Sequence, residues 1–122
     1  VAAALFHKLP IEGKKVVCVI SGGNIDVNIL SRVITRGLVM SGRKANLTIA
    51  LEDKPGQLQR VAEIVSRCGS NVVSVLHDGS DPNMPISSCF LKLTLETRDA
   101  VQIEQIRAEL TKEGFQLVSE RV

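Results

Sequence analysis

The stretch Leu51-Glu-Asp53-Lys-Pro55-Gly56-Gln-Leu58 sets a carboxylate and a proline-glycine bend immediately before a helical pattern. Helix N-terminal amides point outward and carry partial positive charge, so they can receive a carboxylate. Asp53 offers an acceptor to an ammonium group on the same molecule, and Asn71 offers both a donor and an acceptor. Together these groups suit a zwitterion, that is, a free amino acid. A purely architectural reading uses the same residues: Asp53 caps the helix and Pro55-Gly56 turns the chain.

A second stretch, VVCVISGGNID over 16–26, puts Ser21, Gly22, Gly23 and Asn24 after a β-branched run. A glycine pair after a strand is most simply a turn. Ser21 is better placed, because ligands of α/β sheets gather at the C-terminal ends of strands. The other reactive side chains suggest less. Cys18, Cys68 and Cys89 lie in apolar stretches with no CxxC pair and no His at ligand spacing. They read as buried thiols in a reducing cytosol, with no metal site expected. His7 and His77 have no nucleophile near them in sequence and read as solvated or structural.

The elements that must position these residues fall into two groups. VAAALFHKL reads as a helix without an N-cap, closed by Pro10 and Gly13, and is expected to continue a longer chain. KKVVCVI (14–20) has the continuous apolar pattern of a strand buried on both faces. A turn at 21–24 leads to a helix over 27–40, capped by Asp26 or Asn28, with Ile29, Leu30, Val33 and Ile34 at helical spacing. This helix–strand–helix series is part of an α/β layer, not a complete fold, and 40–46 reads as a linker.

From Asn46 the period changes to two. Leu47, Ile49 and Leu51 alternate with polar or small residues, and a turn follows at 53–56. A helix comes next, with Leu58, Val61, Ala62 and Val65 on one face and Gly69 at its end. Strands are expected over 71–79 and 86–97, joined by a loop at 80–85. Asp99 caps a helix bearing Ile103, Ile106 and Leu110 and ending at Gly114, and 115–122 forms the last strand. The order β-α-β-β-α-β predicts an α+β, ferredoxin-like fold: a four-stranded antiparallel sheet with two helices on one face. The second strand falls at an edge. Its apolar residues Val72, Val73, Val75 and Leu76 predict edge-to-edge pairing of two copies.

Composition bounds the possibilities. The 122 residues are 44% apolar and 23% charged, so the chain is globular. Val, Ile and Leu number 15, 10 and 13, against three Phe and no Trp or Tyr. That argues against a base-stacking nucleic-acid surface. No apolar run approaches the roughly 18 residues of a membrane span, and no signal-peptide pattern opens the chain, so a cytoplasmic protein is expected. The net charge of +2 is uneven. Residues 1–44 hold seven Lys/Arg and two Asp/Glu, whereas residues 45–122 hold eight and eleven. The shift supports two units, 1–44 and 45–122.

Residues 46–122, with the D-x-P-G-x-L turn, the G-x-N-V entry to the second strand and the βαββαβ order, resemble an ACT domain, a small amino-acid-sensing regulatory module. The resemblance implies an amino acid bound between the turn of one copy and the second-strand edge of its neighbour. Carried over by position, it implicates Asp53, Pro55, Gly56, Leu58 and Asn71, with Val72 and Val73 lining the edge. VVCVISGGNID resembles the last strand of the pyridoxal-phosphate domain in threonine dehydratases and serine racemases. It implies that Ser21 hydrogen-bonds the cofactor's pyridine nitrogen, with Gly22 and Asn24 in the same turn. A neutral hydroxyl there moderates the electron sink and favours elimination over transamination.

Lys8, Lys14, Lys15 and Lys44 stand in no Schiff-base context, and no second glycine cluster could cradle a phosphate. The two resemblances together imply the C-terminal part of a threonine dehydratase, itself inactive and without bound cofactor, whose parent converts L-threonine to 2-oxobutanoate and ammonia. Isoleucine is the expected effector. Two alternatives stay open: an assembly module that binds nothing, and the regulatory module of another amino-acid enzyme.

Overall fold

The computed structural model describes residues 1–82 and 85–118. Its elements are α1 (Ala2–Leu5), α2 (Val27–Met40), β1 (Lys44–Glu52), α3 (Gln57–Arg67), β2 (Asn71–Asp78), β3 (Ser88–Glu96), α4 (Ala100–Lys112) and β4 (Gln116–Val118). The four strands form one antiparallel sheet in the order β2-β3-β1-β4. The fold is therefore α+β and ferredoxin-like, with β2 at an edge as its sequence predicts.

Register follows from the two-residue period. β1 pairs with β3 so that Ala45, Leu47, Ile49 and Leu51 stand opposite Leu95, Leu93, Leu91 and Cys89. This row meets Val61, Ile64 and Val65 of α3 and Ile106 and Leu110 of α4 in one buried core, closed by Phe115. Both helices thus cover the same sheet face. Burial of each such side chain contributes about 1.5–3 kcal/mol. On the other face Asn46 lies opposite Thr94 and Thr48 opposite Lys92. The β2–β3 register shifts between Val72 and Ser74, a bulge that displaces Val73 from the ladder.

Local signals explain most helix ends. Asp26 caps α2, its Oδ1 accepting from the N–H groups of Asn28 and Ile29. Asp99 caps α4 through the N–H of Gln102 at 2.9 Å. After α3 the N–H groups of Gly69 and Ser70 return to the carbonyls of Ser66 and Val65, and the Gly114–Phe115 step does the same for α4. Gln102 ties these ends together: its buried amide accepts from the Arg98 N–H and donates to the Cys68 carbonyl at 2.8 Å.

Several expectations fail. Residues 14–20 form no strand, and Val17, Val19 and Ile20 are 85% or more exposed. A two-faced strand needs sheet neighbours to take its N–H and C=O groups, and the described residues supply none there. Cys18 is consequently exposed, not buried. The opening helix is four residues long, and the helix–strand–helix series reduces to α1 and α2. In α3 the core face is Val61, Ile64 and Val65; Ala62 is exposed and Leu58 nearly half exposed.

The expected 40–46 linker is mostly element: α2 ends at Met40, β1 starts at Lys44, and Gly42 is buried. Thr97 secures this junction, its hydroxyl donating to the Gly42 carbonyl at 2.7 Å and its N–H to the Arg43 carbonyl. Residues 83 and 84 of the expected 80–85 loop, and 119–122 of the expected last strand, lie outside the described residues.

Candidate functional site

The Asp53–Leu58 turn connects β1 to α3. Glu52 leaves the ladder opposite Ser88, and the Asp53 N–H still donates to the Ser87 carbonyl. Pro55 then bends the chain, and Gly56 occupies the N-cap position in the left-handed region, φ 88°. A β-carbon there would be strained though it would meet no atom. Gly56 has no side chain to cap α3, and among the described residues no side chain accepts from its first N–H groups. Asp53 is therefore not the helix cap of the architectural reading. Its carboxylate faces His77 instead, Oδ1 lying 3.5 Å from Nε2.

Around the turn is a cavity of about 320 Å³, lined by Leu51, Asp53, Lys54, Pro55, Gly56, Gln57, Leu58, His77 and Leu91. That volume is at the small end of the range for organic ligands. Its charges are partly committed. Lys54 pairs with Glu52, whose carboxyl the hydrogen bond holds below its ordinary value. A ligand carboxylate would accordingly lean on the α3 amides more than on Lys54. Gln57 contributes a buried side-chain carbonyl that has no hydrogen-bond partner among the described residues. The cavity thus offers N–H donors at a helix start, an anionic oxygen at Asp53 and an apolar wall from Leu51, Leu58 and Leu91.

The structure brings Asp53, Pro55, Gly56 and Leu58 together but leaves Asn71, Val72 and Val73 elsewhere. β1 and β2 both run antiparallel to β3, so they are parallel to each other. Asn71 consequently pairs with Glu96 at the start of β2, whereas Asp53 follows the far end of β1. Asn71 Nδ2 donates to Glu96 Oε2, and Asn71 and Val73 line a separate cavity with Leu38, Arg43 and Thr97. Within one chain these residues form two sites.

Ser21, Gly22 and Asn24 are exposed and end no strand. Among the described residues no neighbouring strand flanks 14–20 to present Ser21, Gly22 and Asn24 as the end of a sheet strand.

His77, which reads from the sequence as solvated or structural, and Cys89, which reads as a buried thiol, both approach Asp53. The three donor atoms Asp53 Oδ, His77 Nε2 or Nδ1 and Cys89 Sγ lie within 4.8 Å of one another. The register carries the signal. Leu51 pairs with Cys89 and His77 with Leu91, so positions 51, 53, 77 and 89 share one sheet end and the helix-covered face. Asp78, next to His77, is occupied by Ser80 and Lys92, which hold its carboxyl low. Burial raises the Cys89 thiol, and the neighbouring Asp53 carboxylate adds to that.

No family model matches the chain. Among curated proteins it is 44% identical over 115 residues to an L-threonine ammonia-lyase of Thermotoga maritima, covering 94% of this chain and 29% of that protein. It is 37% identical over 114 residues to an L-threonine ammonia-lyase of Geobacter sulfurreducens, covering 93% and 28%. Among solved structures, an ACT domain from the GTP pyrophosphokinase of Chlorobium tepidum superposes with a TM-score of 0.47 at 15% identity, over 62% of this chain and 96% of that one. The chain spans less than a third of the curated relatives' length, and over nearly all of its own residues it is related to the L-threonine ammonia-lyases.

Proposed function

We propose that the chain is the regulatory end of a pyridoxal-phosphate-dependent L-threonine ammonia-lyase. In this reading residues 1–44 close a catalytic domain and residues 45–122 are an amino-acid-sensing ACT domain. The parent, a cytoplasmic enzyme, deaminates L-threonine to 2-oxobutanoate and ammonia. This segment, without a Schiff-base lysine or phosphate loop, supplies control and no chemistry. Ser21, Gly22 and Asn24 meet the cofactor only when the rest of that domain surrounds them. The effector is a free amino acid, isoleucine by preference, held between two copies paired along β2.

The observation that carries the reading is the uncapped start of α3 beside the Asp53 carboxylate, both on a cavity of amino-acid size. Opposite partial charges a few bonds apart match the two ends of a zwitterion. The apolar wall matches an aliphatic side chain. Binding shifts the parent between states only through differential affinity for them.

Thermal unfolding of the chain with isoleucine, valine, threonine or serine tests this. A ligand at about 100 times its Kd adds about 2.7 kcal/mol, worth several degrees in a domain of this size. Asp53→Asn should abolish the shift. If none of the four amino acids shifts the transition, the sensing reading fails. Val73, Val75 and Leu76, all more than 40% exposed on the free edge of β2, would then favour a pure assembly module.

A further inference from the structure

We propose that Asp53, His77 and Cys89 form a binding site for a zinc-class divalent cation at the β1–β3–β2 end of the sheet. The three ligands come from three elements and converge because antiparallel register fixes their common end and face. Donor chemistry selects the ion. A thiolate, an imidazole and one carboxylate oxygen suit Zn(II), whereas magnesium and calcium require oxygen shells.

The spacing is near what the ion needs. Bonds of about 2.0–2.3 Å in a tetrahedron place donor atoms roughly 3.5 Å apart. Asp53 Oδ1 and His77 Nε2 already stand 3.5 Å apart, and one carboxylate oxygen of Asp53 and one ring nitrogen of His77 lie within 4.8 Å of Cys89 Sγ. Asp53 and His77 have side chains more than half exposed, so they can close the remaining distance around a fixed sulfur. Cys89 is fully buried and held by the sheet ladder.

On binding, the Cys89 S–H bond breaks, an S–Zn bond forms and the proton leaves to solvent; a His77 ring nitrogen and an Asp53 carboxylate oxygen each donate a lone pair. Three protein ligands leave the fourth position of a tetrahedron to water or another ligand. The site stands on these residues alone and does not depend on amino-acid sensing. It shares Asp53 with that function, so an occupied metal site would draw on the carboxylate an ammonium group needs.

The test uses the full chain carrying Cys18→Ser, which removes the exposed thiol. Titration with Co(II) should give a thiolate-to-cobalt charge-transfer band saturating at one equivalent, displaced by Zn(II). Cys89→Ser should abolish the band. His77→Gln, at a half-exposed position that leaves the core intact, should weaken Zn(II) binding by more than the roughly 10–100-fold cost of losing an outer hydrogen-bond partner. A band that survives in Cys89→Ser, no thiolate band in the folded parent, or unchanged zinc affinity in His77→Gln would each overturn the assignment. Both variants keep Asp53, so loss of metal binding and loss of amino-acid binding are read separately.

Discussion

Replacing Gly42 by alanine should be among the most damaging single-methyl additions in the molecule. Gly42 sits between α2 and β1 with φ +69°, and a β-carbon there would stand 2.5 Å from the Ala100 nitrogen and 2.9 Å from the Asp99 carbonyl carbon. Both are backbone atoms at the start of α4, so neither can rotate away. The left-handed conformation costs an L-residue about 1–2 kcal/mol. Forcing apart packed backbone adds about 1–3 kcal/mol. The sum is about 2–5 kcal/mol, against a total stability of about 5–15 kcal/mol. Gly56→Ala isolates the first part, since Gly56 has φ +88° but nothing within 4 Å of a β-carbon. It should cost about 1–2 kcal/mol. The chain has no Trp or Tyr, so urea unfolding is best followed by far-ultraviolet circular dichroism. Equal midpoints for the two variants would refute the packing of residues 41–43 against α4 and restore the reading of that segment as a free linker.

Gln102→Leu removes the amide that links α4 to α3 and strands the Cys68 carbonyl and Arg98 N–H; a loss of about 1–3 kcal/mol in urea unfolding is expected. Asp99 has its carboxyl lowered, first by the Gln102 N–H and then by Arg98. Its contribution is therefore full above its unfolded value near 3.8 and is lost as pH falls through the lower folded value. Asp99→Asn keeps a capping oxygen without the titration. Its stability deficit relative to the parent should shrink as pH is taken from about 5 to about 2. A deficit constant across that range would remove the charge from the account.

The sequence exposes those features whose causes are local. Asp26 beside an amphipathic run delimits α2, and Asp99 and Gly114 bracket α4, because capping groups sit within a few residues of what they satisfy. The alternation of Leu91, Leu93 and Leu95 yields the buried face of β3 for the same reason. What needs distant partners is harder to read. Residues 14–20 have the pattern of a strand buried on both sides, but pattern records the neighbours a segment was selected for, not those present. In α3, choosing Leu58 and Ala62 in place of Ile64 rotates the inferred face by part of a turn; only the position of the sheet beneath the helix decides it. His77 and Cys89 became legible as companions of Asp53 only through register, since 24 and 36 positions separate them from it in the chain.

Register also decides how the proposed sensing site would have to be assembled. The turn after β1 and the start of β2 lie at opposite ends of one sheet, roughly 25 Å apart at about 3.3 Å per residue, so no small ligand touches Asp53 and Asn71 of one chain. Antiparallel pairing of two β2 edges about a two-fold axis removes the difficulty. It sets Asn71 of one copy opposite the Asp78 end of the other, which is the end that carries Asp53. A mixing experiment follows. Asp53→Asn and Asn71→Ala should each abolish amino-acid binding in homogeneous preparations. After the two are unfolded and refolded together in equal amounts, half the dimers hold one chain of each kind. In such a dimer one site carries both substitutions and the other carries neither. About one quarter of the sites should therefore regain binding, measured by calorimetric stoichiometry. If each site lay within one chain, every site would carry a substitution and mixing would recover nothing.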